Sequence, residues 1–79
     1  MINTEILEVD KEEHEKTITE LHSQAEQLEA TKEATDNLLI REMSQNFILQ
    51  IEKEIEYQEF HIQELENSIK FEDLKNDKD

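Results

Sequence analysis

Apolar side chains recur at helical spacing through most of this chain. Reading from Ile18, they fall at Leu21, Ala25 and Leu28 and, after the polar positions Lys32 and Thr35, at Leu39, Met43, Phe47, Ile51 and Ile55. Beyond Gln58 they resume at Ile62, Leu65 and Ile69. Steps of three and four alternate up to Leu39 and again after Ile55, which is the heptad seam along which helices pack. Between Leu39 and Ile55 every step is four, a phase slip that locally unwinds a supercoil. Ile48, Ile55, Ile62 and Ile69 also repeat every seven residues, a choice compatible with a dimer. The expected dimer core is therefore Ile18, Leu21, Leu28, Leu39, Met43, Phe47, Ile48, Ile51, Ile55, Ile62, Leu65 and Ile69.

A second stripe shares the C-terminal half. Leu38, Leu49, Phe60 and Phe71 recur every eleven residues, with Tyr57 one turn before Phe60. At 100° per residue the four stay within about 60° of one another. Segment 38–51 is thus apolar on more than one face, and its only charges are Arg41 and Glu42. A helix apolar on two sides is buried on two sides. Leu38, Leu49, Tyr57, Phe60 and Phe71 are expected to meet either the chain's own N-terminal half or a partner protein.

Residues 29–37 hold no large apolar side chain, and Thr35, Asp36 and Asn37 all suit the N-cap of a helix beginning near Leu38. The expected fold is all-α, a single domain over 1–79. It has a first helix at 10–34, opened by the capping box from Asp10 to Glu13, and a second at 37–73. Residues 76–79 read as a frayed acidic tail. Such a coiled-coil hairpin is expected to associate as a dimer, because two helices shield only part of the apolar surface. One continuous coiled-coil helix is the alternative, since no glycine marks a C-cap.

Composition narrows this picture. The 79 residues include no Gly, no Pro and no Cys. Tight hairpins between strands become costly, helix breakers are absent, and there is no disulfide framework. Leu, Ile, Val and Phe make up 21 of the 79 residues, above the roughly 20% below which highly charged chains stay disordered. No apolar run is long enough to span a membrane, and no secretory signal opens the chain, so a cytoplasmic location is the default.

The formal net charge is −14, with 22 acidic against 8 basic residues. Such a surface repels nucleic acid and anionic membranes, so neither is expected as a direct partner; a basic protein target is. The acidic face comprises Glu5, Glu8, Glu12 and Glu15, then Glu52, Glu56, Glu59, Glu64 and Glu66. Its plain reading is a solvated surface. The functional reading is DNA mimicry, because carboxylates one turn apart are about 5–6 Å apart, near the spacing of phosphates along a strand. Phage-type inhibitors use that device.

Catalytic signatures are missing. His14-Glu15 is not followed by the second histidine of a zinc-protease helix, and without Gly there is no phosphate-cradling loop. His22 with Glu26, and His61 with Glu64, share helix faces, but two ligands on one surface helix make a poor metal site. His14 falls on the seam extended back through Leu7, as a half-buried polar core position. Paired carboxylates need a partly dry pocket to separate their pKa values, which a helical rod does not supply. The expectation is a non-enzymatic interaction protein, without cofactor or metal. It pairs with itself and binds a partner through an apolar helix face, or else acts as an acidic decoy.

Overall fold

A computed structural model describes the backbone of residues 4–77 and the side chains as far as Leu74. Two helices, α1 (Thr4–Ala34) and α2 (Leu38–Asp77), lie antiparallel against each other. The hairpin is 64 Å long and 14 Å in each other direction. The continuous helix considered as the alternative is thus not formed. Of the tail placed at 76–79, residues 76 and 77 continue α2, and 78–79 lie outside the described residues.

The turn takes three residues, 35–37, and needs no glycine. No described residue has positive φ, so the left-handed C-cap that Gly usually provides is not used. Polar side chains do the work instead. Asn37 Oδ1 accepts from the amides of Leu39 (2.9 Å) and Ile40 (3.3 Å), the second and third residues of α2. That is an N-cap in full, satisfying two amides with no partner inside the helix. Asn37 N donates to Thr35 Oγ1 at 3.2 Å, and Arg41 N makes the first helical bond to Asn37 O at 3.1 Å. At the other end α1 starts at Thr4, ahead of Asp10. No breaker stands between them, and Glu5 in the first turn complements the helix dipole.

The inward face of α2 repeats every seven residues. Buried or half-buried positions run Ser44, Ile48, Ile51, Ile55, Gln58, Ile62, Leu65, Ile69 and Glu72, in strictly alternating steps of four and three. Ile48 and Ile55 are 2% and 6% exposed and form the buried apolar core, with Ser44 beside them at 4%. The corresponding face of α1, including Leu7, Lys11, His14, Ile18, Leu21, Ala25, Leu28 and Lys32, is only half-buried. This corrects the phase slip read from the sequence. The seam passes through Ile48 and Ser44, whereas Leu39, Met43 and Phe47 are exposed by 64%, 49% and 48%. A small serine between the helices keeps the heptad unbroken, and tertiary packing prefers that to three larger side chains that drift around the helix.

Each polar interruption of the seam finds a partner. Lys32 Nζ donates to Gln45 Oε1 at 2.6 Å across the interface. The Gln58 carboxamide oxygen accepts from His14 Nδ1, also across the interface, and Gln58 Nε2 donates to Glu54 Oε1 at 2.9 Å. Thr35 caps the turn. Among the described residues no buried side-chain polar atom lacks a partner. These bonds cannot form if one helix slides by a turn, so they specify alignment where the thin apolar core does not.

Candidate interaction surfaces

Chemistry-bearing residues gather in three places on the hairpin. The first is a ring cluster midway along it. His14 of α1 stacks on His61 of α2, with centroids 5.5 Å apart and planes 10° from parallel. Tyr57 meets the His61 ring edge-on at 4.4 Å, and Phe60 does so at 6.1 Å. His14 Nε2 stands 3.7 Å from Asp10, and His61 Nδ1 4.0 Å from Glu64. No group of three or more candidate ligands among the described residues could hold a metal ion. The cluster ties α1 to α2 and leaves Tyr57 and Phe60 largely exposed.

The second is an acidic edge. Glu52, Glu59 and Glu66 recur every seven residues beside the seam of α2, and Glu8 and Glu15 do the same on α1. Antiparallel packing places these rows along one side of the hairpin. Glu8, Glu12 and Glu15 share a groove of about 410 Å³ there with Glu66 and Asp73. Two lysines share it: Lys70, and Lys11, which stands 3.3 Å from Glu66 and 3.8 Å from Glu15. Glu56 flanks the same edge farther toward the turn. Glu5 is in the first turn of α1, and Glu64 faces outward from α2 beside His61. The opposite edge carries far less charge. Its groove, about 520 Å³, has Leu21, Leu28, Phe47 and Ile51 as apolar lining and Gln24, Gln27, Gln50, Thr31 and Glu54 as rim. Charge on this protein is therefore one-sided.

The third is apolar. Of the twelve large apolar side chains exposed among the described residues, ten belong to α2. Five of them, Leu38, Leu39, Ile40, Met43 and Phe47, crowd its first three turns next to the hairpin bend. Tyr57, Phe60, Phe71 and Leu74 continue outward-facing along its length. α1 adds Ile6 and Val9 alone.

No family model, curated protein or solved structure matches this chain. What it does must be read from its surfaces.

The residues assigned from sequence to a dimer core separate into two groups. Ile18, Leu21, Leu28, Ile48, Ile51, Ile55, Ile62, Leu65 and Ile69 face the other helix of the same chain, so an intramolecular seam takes them up. Leu39, Met43 and Phe47 remain outside. The eleven-residue stripe also divides. On a helix whose inward face returns every seven residues, each eleven-residue step overshoots by roughly 50°, and three steps by roughly 150°. Leu38 and Leu49 consequently lie toward the acidic edge, Phe60 faces away from α1 with Tyr57, and Phe71 borders a groove that it shares with Leu7 of α1. Ser44, Ile40 and Leu74 were not singled out from the sequence. Extending the Ile48–Ile69 heptad back by alternating steps would have reached Ser44, and two heptads on from Phe60 lies Leu74. Among the described residues, no helix is long and apolar enough to cross a membrane.

Proposed function

We propose that this chain is a non-enzymatic, acidic coiled-coil interaction protein that self-associates and binds or regulates a partner protein through an apolar face of α2. One observation carries the reading: among the described residues the hairpin buries two large apolar side chains, half-buries eight and leaves twelve exposed. Each large apolar side chain gains roughly 1.5–3 kcal/mol on full burial, so this surface is an incentive to associate and a liability if left open. The interhelix grooves are open on one side, a shape suited to receiving a helix from another molecule. A basic partner suits the net charge of −14.

A second reading rests on the acidic edge, where glutamates of both helices stand in rows one to two turns apart. It is a decoy that occupies the basic groove of a nucleic-acid-binding protein. Salt separates the two, because a carboxylate interface weakens steeply as salt rises and an apolar dock does not. A pull-down at low and high salt is run with wild type, with Leu38, Leu49 and Phe60 changed to Ala, and with Glu52, Glu56 and Glu59 changed to Gln. The apolar reading expects the alanine variant alone to lose the partner, at both salt concentrations. If the glutamine variant loses it and the alanine variant keeps it, the decoy reading replaces the first.

A further inference from the structure

The outward side of α2 has a symmetric order of its own. Eleven positions beginning at Leu39 and ending at Leu74, spaced by alternating four and three, are all exposed. Their chemistry falls into five blocks. Leu39 and Met43 are aliphatic; Asn46, Gln50 and Lys53 are polar; Tyr57 and Phe60 are aromatic. Glu64 and Asn67 are polar again, and Phe71 and Leu74 close the row as apolar. Read backward, the blocks come in the same order, with the aromatic pair at the centre. A surface that reads alike in both directions is self-complementary across a two-fold axis perpendicular to it.

We propose that a second copy of this chain covers this face, with α2 packed antiparallel on α2 of its mate about an axis near Tyr57 and Phe60. The inference rests on the reading of the protein as self-associating and supplies the face and the orientation. About that axis Met43 meets Leu74 of the mate at each end, with Leu39 and Phe71 one turn to either side, and Tyr57 of each copy meets Phe60 of the other. Charge selects the antiparallel arrangement. It sets Lys53 beside Glu64 of the mate, twice, whereas parallel pairing would set Lys53 on Lys53 and Glu64 on Glu64. The area suffices as well. Tyr57, Phe60 and Phe71 are 57%, 61% and 65% exposed, leaving roughly 100 Å² of ring surface each to be covered. With the aliphatic ends of both copies added, the contact passes the about 1,000 Å² that a specific interface requires. The resulting layer, α1–α2–α2–α1, puts the outer surface of α1, polar apart from Ile6 and Val9, in water on both sides.

Because the chain has no cysteine, single cysteines report without background. Tyr57→Cys, Leu39→Cys and Leu74→Cys are each made in the full chain and treated with a short bis-maleimide. Tyr57→Cys is expected to cross-link to itself. Leu39→Cys and Leu74→Cys are expected not to, because antiparallel copies hold like ends roughly 50 Å apart. A mixture of the two is expected to give the mixed dimer. Self-linking of Leu39→Cys and Leu74→Cys, or a wild-type dimer in which Tyr57→Cys stays unlinked, overturns this face and orientation while leaving self-association intact. Sedimentation of the wild type as a monomer from micromolar to millimolar concentration removes both. Tyr57→Ala with Phe60→Ala is expected to weaken the dimer at least about a hundredfold with helicity by circular dichroism unchanged; a dimer of undiminished affinity counts against the proposal.

Discussion

Ile48→Ala tests where the seam runs. At 2% exposure Ile48 is the most buried large side chain described, and three of its carbons are lost. At about 0.8 kcal/mol per buried carbon the transfer loss is about 2.4 kcal/mol. A cavity adds to this, but the addition is small here because a two-helix interface is open at its sides and relaxes. The better helix propensity of Ala returns about 0.4 kcal/mol. The net cost is therefore about 2–3 kcal/mol, which for a chain of this size lowers Tm by about 10–20 °C. Leu39→Ala is the counterpart, since the sequence pattern places Leu39 on the same seam and the structure leaves it 64% exposed. Its cost to the hairpin is expected to stay within about 0.5 kcal/mol, with any further loss growing as protein concentration rises. Thermal and urea unfolding followed by circular dichroism, at two concentrations tenfold apart, measures both. If Leu39→Ala costs as much as Ile48→Ala at the lower concentration, the seam passes through Leu39, and the assignment of Ile48 and Ser44 to the interior is wrong.

Other outcomes follow from the turn, the seam and the charge. Asn37→Ala removes the acceptor for two amides and should cost about 1 kcal/mol in urea unfolding, with Asn37→Ser restoring most of it. Lys32→Met gives up the bond to Gln45; unfolding experiments should find stability unchanged or raised, since a polar pair in a seam contributes more to alignment than to energy. Adding salt should raise Tm, because screening relieves repulsion among 22 acidic residues facing 8 basic ones. Glu52→Gln with Glu56→Gln should raise Tm at low salt by relieving a like-charge pair four residues apart, worth a few tenths of a kcal/mol. The gain should shrink as salt is added.

Sequence alone determined that this protein is helical and where a bend would fall; it did not decide that the chain bends, because one continuous helix fits the same pattern. The seven-residue recurrence of Ile48, Ile55, Ile62 and Ile69, the polar stretch at 29–37 and the caps at 35–37 are local signals, carried by spacing and by side chains that bond their own backbone. Only the tertiary structure decided which apolar residues count as inside. Two stripes compete for α2, and each is consistent with helical periodicity taken alone. Packing against α1 favoured the one that returns every seven residues, even though it places Ser44 rather than Met43 or Phe47 between the helices. The same choice turned Leu39, Met43, Tyr57 and Phe60 outward and gathered the glutamates of both helices on one edge. A one-dimensional pattern does not contain that outcome, because the face a helix buries depends on what it is pressed against.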